Sequence, residues 1–126
     1  MPSQNNSGRQ YRKDDAVTVV ATATVAANRF VGYDGTHATS AGGVHDAQGI
    51  SEFGGVAGDA LCVITEYSGL VETSAAIVQF DYVKPAADGS GMAAVGTLTD
   101  HCGRALGTAS AAGQLIEVQV VRHLHA

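Results

Sequence analysis

Tryptophan is absent from the 126-residue chain, and only seven residues are aromatic. Leu, Ile, Val and Phe together number 28 of 126, just above the level of a disordered chain. A core built under that limit must use small side chains, and 21 Ala and 16 Gly supply much of the rest. At about 25 cal/mol per Å² of buried apolar surface, Val and Ala release less per residue than Leu and Phe. The monomer is therefore expected to gain stability by association. No run of 18 apolar residues exists, which excludes a transmembrane helix of ordinary length. Met1 to Asp15 has no apolar centre, so no secretory signal is read there. Without export, Cys62 and Cys102 are expected as packed thiols rather than a disulfide.

Positive charge is scarce: 7 Lys and Arg stand against 12 Asp and Glu. Residues 1–13 hold Arg9, Arg12 and Lys13 with no acid, and residues 14–126 carry a net −8. An acidic body does not suit a nucleic-acid groove, which needs clustered cations to neutralise phosphates. The basic segment reads either as a solvated tail or as a contact for an acidic protein surface. Arg9, Gln10, Tyr11, Arg12 and Lys13 are its candidate contact residues, with Tyr11 as an aromatic anchor.

No stretch combines a sustained helical period with caps, and no internal repeat is visible. The chain reads as a flexible arm over 1–15 and one all-β domain over 16–126. In that domain Val17 to Val25 alternates like a strand. Phe30 to Tyr33 is a second strand, turned by Asp34-Gly35, and Thr36 to Gly43 a return. Gly49 to Gly58 reads as irregular. Ala60 to Tyr67 is an apolar strand, Ser68-Gly69 a turn, and Leu70 to Thr73 a further strand. Ile77 to Val83 alternates until Lys84-Pro85 ends it. Asp88 to Gly91 turns. Met92 to Thr99 and Arg104 to Thr108 are strand candidates. Leu115 to Val121 is the clearest strand, with Ile116, Val118 and Val120 inward and Glu117 and Gln119 outward. About eight short strands with turns every 8–12 residues mean a small single-domain β-sandwich or barrel. Val17, Val19 and Ala21 are candidate edge-strand contacts to a neighbour.

Catalytic motifs are missing. There is no P-loop, no nucleophile elbow and no deaminase signature. His123 and His125 leave no room downstream for further ligands. A small metal-binding β-domain would have to gather His37, His45, His101 and Cys102 by folding. The reading is a non-enzyme without cofactor or metal.

Five pieces of the second half recur in a recognisable order. Ala57-Gly58-Asp59-Ala60-Leu61-Cys62-Val63 precedes Ser68-Gly69-Leu70-Val71. Ile77 with Asp81-Tyr82-Val83 follows, then Ala87-Asp88-Gly89. Gly103-Arg104-Ala105-Leu106-Gly107-Thr108-Ala109 leads through Gly113-Gln114 to Ile116-Glu117-Val118-Gln119-Val120. This order resembles the capsid decoration, or cement, proteins of tailed bacteriophages over roughly residues 16–122. Phe80-Asp81-Tyr82 departs from the family's usual Gly-Asp. The resemblance implies a structural virion protein on the exterior of the expanded head, assembled in the host cytoplasm. Such a protein bridges major capsid protein subunits, as a homotrimer or a dimer, and binds neither nucleic acid nor membrane. The alternative is another β-rich virion component, a tail or fibre module.

Overall fold

Short alternating stretches rich in β-branched residues fold here into strands. The structure is a computed structural model that describes residues 13–41 and 47–121. Among them are eight strands and no helix: β1 (Lys13–Val20), β2 (Phe30–Gly32), β3 (Ala47–Ser51), β4 (Ala60–Glu72), β5 (Tyr82–Pro85), β6 (Ala93–Val95), β7 (Gly103–Ala105) and β8 (Leu115–Val120). The sheet runs β2-β3-β4-β8-β7-β5-β6, and β1 pairs with β4. Every paired strand is antiparallel. The last strand returns to the middle of the sheet. Ala93 of β6 bridges Thr73, just after β4, and its carbonyl accepts from the Ser74 N–H. The sheet is thus nearly closed into a barrel, and the all-β expectation holds.

The 13-residue strand β4 organises this closure. Its first half, Ala60–Tyr67, pairs with β1, and Val63 and Ile64 pair with β3. Its second half, Ser68–Glu72, pairs with β8. Ser68-Gly69 is therefore the middle of a strand, not a turn. Gly69 is there for space: a Cβ would lie 3.1 Å from Ile50 Cδ1 and 3.2 Å from Ile64 Cδ1.

Successive strand residues face opposite sides, and the sheet uses both sides. Phe30, Ile50 and Ile64 join Val71, Ile77, Val83, Ala105, Ile116 and Val118 in the main core. Val31, Leu61 and Val63 join Ala21 and Val25 in a smaller cluster. Among the described residues Phe30 is the only aromatic of the largest fully buried side chains, as the composition implies. Cys62 and Cys102 are free thiols, Cys102 buried in the main core.

Several expected spans are corrected. β1 begins at Lys13, inside the segment assigned to the arm, and ends at Val20. Ala21 to Val25 leaves the ladder, held to the chain ahead of β4 by the Ala21 hydrogen bonds to Gly58 and Asp59 and by the Val25–Gly55 bridge. The Gly49 to Gly58 region contains most of β3, because Gly49 lets β3 lie close against β4. Beyond β2, only His37 bridges back, to Val31; Gly42 and Gly43 lie outside the described residues. Ile77 to Asp81 is a bridge and a turn, so that strand starts at Tyr82. β6 and β7 are three residues each. Glu117 points inward rather than outward, 1% exposed, and its Oε2 accepts from Ser68 Oγ at 2.7 Å. Both faces of β8 are covered at that point, so alternation gave no outward side.

Gly49 offers a test of β3 docking. A Cβ there would press on the Ile64 carbonyl oxygen and sit 2.7 Å from Val63 Cγ1. Gly49→Ala is expected to lose about 1–3 kcal/mol by overpacking, read as a lower urea midpoint. An unchanged midpoint would contradict the described β3–β4 contact.

Candidate interaction surface

Of the basic-segment candidates, Arg9, Gln10, Tyr11 and Arg12 lie outside the described residues. Lys13 opens β1, and its Nζ donates to both Glu52 carboxylate oxygens, at 3.0 and 3.1 Å. Its charge is already matched within the fold. β1 pairs with β4 alone among the described strands, which leaves its second edge open. The register shifts at Asp15, beside Asp14. A bulge and charges there blunt the first part of the edge. Val17 to Val20 carries no such protection, and Val17 and Val20 are 43% and 60% exposed. Val19 packs against the smaller cluster. Ala21 is not an edge contact: it is 2% exposed, its N–H donates to Asp59 and its carbonyl accepts from Gly58.

The two described histidines, His37 and His101, join no common cluster. His45, His123 and His125 lie outside the described residues. Among those described, no three His, Cys, Asp or Glu groups are placed to hold a metal ion. His101 Nδ1 lies 3.0 Å from the Thr97 carbonyl, and its ring centroid is 4.5 Å from that of Tyr82. His37 stitches loops together instead. Its Nε2 accepts from the Ala26 N–H at 3.0 Å, so the proton sits on Nδ1, with a hydrogen bond to the Gly89 backbone. Arg29 reaches the same region, donating to the Ser90 carbonyl at 2.7 Å and to Glu72 at 3.3 Å. Its Nε is buried without a hydrogen-bond partner.

The structure reveals an internal repeat that the sequence hides. Val56-Ala57-Gly58-Asp59 and Val78-Gln79-Phe80-Asp81 form the same turn. In each, the Asp N–H donates to the Val carbonyl at 3.0 Å, and the Val N–H donates to Asp Oδ2 at 2.9 and 3.0 Å respectively. Each faces an equivalent segment. Gly58 N–H donates to Ala21, and Ala21 N–H to Asp59; Phe80 N–H donates to Ala105, and Ala105 N–H to Asp81. The bridges Val25–Gly55 and Ile77–Ala109 match as well. The facing segment precedes its turn in one unit and follows it in the other. Chain order is therefore reversed, and no linear repeat is visible in the sequence.

The two turns differ at one telling position. Gly58 has φ +93°, and its counterpart Phe80 has φ +77°. That region is costly for a bulky residue. Yet Phe80 is 62% exposed beside Val78 at 65%. Arg104 flanks the turn. Its Nε donates to the Phe80 carbonyl at 2.9 Å, and its guanidinium lies 4.5 Å from the centroid of the Tyr82 ring. Lys13, Arg29 and Lys84 each pair with a carboxylate. Among the described residues Arg104 pairs with none. The departure of Phe80-Asp81 from the resembled family's Gly-Asp is visible in the sequence, but Ile77 to Val83 reads as an alternating strand, which hides the turn and its Arg104 neighbour.

No protein-family model matches the chain, and no curated protein matches it either. Its fold is similar to the crystal structure of the head fiber gp8.5 N base in bacteriophage phi29. The TM-score is 0.59 at 18% identity, over 89% of this chain and 98% of that one.

Two measurements check these assignments. Burial first, then Arg29, holds the His37 pKa below its ordinary value, opposed by the Gly89 hydrogen bond. The unfolded chain therefore takes up that proton more readily, and stability contributed by His37 is present above about pH 6.5 and lost as pH falls through the folded pKa. His37→Gln should flatten the fall in urea midpoint between pH 7.5 and 5; an unaltered slope would assign the fall elsewhere. Phe80→Gly should leave stability unchanged or raise it by up to about 1 kcal/mol, since the relieved strain offsets the added freedom of the unfolded chain. A clear loss in thermal melts would mean that Phe80 packs on the fold.

Proposed function

We propose that the chain is a structural part of a bacteriophage virion, docked on the outer face of the head. The observation that carries this reading is the fold likeness to a head-fiber base, which spans nearly all of both chains. The order of sequence pieces shared with decoration proteins supports the same location. In this reading the domain is a base module, seated on major capsid protein subunits and bridging them, and it performs no catalysis. The match to a fibre base favours a module that carries an appendage over a flat cement piece. Association into a homo-oligomer completes a subunit whose core is made of small side chains.

Two further features fit a docking role. The open Val17–Val20 edge can add a strand from a neighbour. Arg9, Gln10, Tyr11 and Arg12 bring positive charge and one aromatic ring to an otherwise acidic protein. Weak contacts repeated over a lattice sum to tight attachment.

The test is co-sedimentation of purified protein with heads stripped of it, taken from the phage that encodes this chain. Saturable binding at a fixed ratio to the capsid protein is expected. Removal of residues 1–12 retains the Lys13–Glu52 pair, so the truncated protein should melt as before and bind about tenfold more weakly. Equal binding by the truncated protein would remove the basic segment from the interface. Absence of binding by the intact protein would overturn the head reading.

A further inference from the structure

We infer that the Val78–Asp81 turn and Arg104 form a preorganised docking knob, which inserts into an apolar hollow rimmed by a carboxylate on the head-surface protein. This inference rests on the head-docking reading above and names the surface that makes the contact.

The internal repeat supplies the comparison. The same hydrogen-bonded turn is built twice, and the position with positive φ is glycine in one copy and phenylalanine in the other. Gly58 shows what the backbone asks for. Nothing inside the fold repays the departure, since the Phe80 side chain stands 62% exposed. A strained residue persists when its surroundings hold it, and such residues cluster at functional places. The surroundings here are explicit. Phe80 N–H donates to Ala105 at 2.7 Å and its carbonyl accepts from Arg104. Gln79 N–H donates to Thr108 Oγ1 at 3.1 Å, and its Nε2 to the Leu106 carbonyl at 3.2 Å. A turn whose backbone is already fixed loses little freedom on binding, which is the advantage of an anchor site prepared in advance.

Arg104 sets the partner's chemistry. The Tyr82 ring and the Phe80 carbonyl hold the guanidinium in place, and its terminal amino groups have no partner among the described residues. A planar cation so placed fits a carboxylate in two-pronged geometry. Val78, 65% exposed in the same turn, widens the apolar contact. A two-fold contact with its axis through the knob would set Arg104 against Arg104. The carboxylate in the patch, Asp81, already takes the Val78 N–H. The charge pattern therefore favours a different protein chain over a second copy. The other exposed apolar residues, such as Tyr33 and Leu98, combine neither strain nor a cation that lacks a carboxylate among the described residues.

The experiment compares full-length protein with its Phe80→Gly and Arg104→Gln variants on the stripped heads described above. Melting curves and sedimentation velocity of the free proteins accompany the binding curves. Phe80→Gly should bind at least about tenfold more weakly, as for an interface anchor, while melting no lower than the parent. Arg104→Gln should weaken binding and reduce its sensitivity to salt. Wild-type binding with both variants within twofold would overturn the knob and leave the head reading standing. A lowered melting temperature for Phe80→Gly would make Phe80 structural and overturn it too. A Phe80→Gly change in sedimentation of the free protein would assign the knob to a second copy, against the proposal. No binding by the wild type would overturn both readings together.

Discussion

One strand, β4, has to pair with both halves of the sheet at once, and the rest of the molecule follows from that. Its first half is held by β1 and β3, its second by β8. At the crossing the chain passes between Ile50 and Ile64, where a Cβ would crowd the tips of both side chains. Beside it Ser68 gives its hydroxyl hydrogen to buried Glu117. A buried carboxylate is costly unless its oxygens are hydrogen-bonded, so the Ser68–Glu117 contact ties the crossing to β8 specifically. Around this spine the short strands need only small side chains to close the barrel.

Small side chains also explain why strand count and class were legible while boundaries were not. Runs such as Leu115 to Val120 and Phe30 to Gly32 carry enough β-branched and aromatic residues to read directly. The glycines misled. Ser68-Gly69 and Gly49 have the composition of turns, but both glycines are close-approach positions inside strands. Apolar alternation over Ile77 to Val83 misled in the other direction. Val78 and Phe80 point to solvent from a turn, and no local pattern distinguishes them from residues that face a core. Ala21, chosen as an outer contact by its place in an alternating run, lies in the smaller cluster because the chain leaves the ladder just before it. Lys13, grouped with the basic arm, is already bound to Glu52.

The repeated turn connects fold to function. Two equivalent units, threaded in opposite order, stabilise the start of β4 and the start of β5 by the same hydrogen bonds. One unit keeps glycine at the positive-φ position. The other keeps the architecture and adds an exposed phenylalanine, with an arginine fixed beside it. Duplication of this kind lets one copy depart from the locally best residue while the scaffold still folds. Among the described residues, an open strand edge, the exposed Phe80 on its held turn and Arg104 without a carboxylate partner suit the proposed contact with another protein surface.

The most direct test of this account is a cryo-EM reconstruction of heads carrying the bound protein, at a resolution that shows side chains. The account predicts the barrel on the outer face of the capsid protein, with Phe80 buried in the contact and Arg104 against a capsid carboxylate. A bound domain whose Val78–Asp81 turn faces solvent would contradict it.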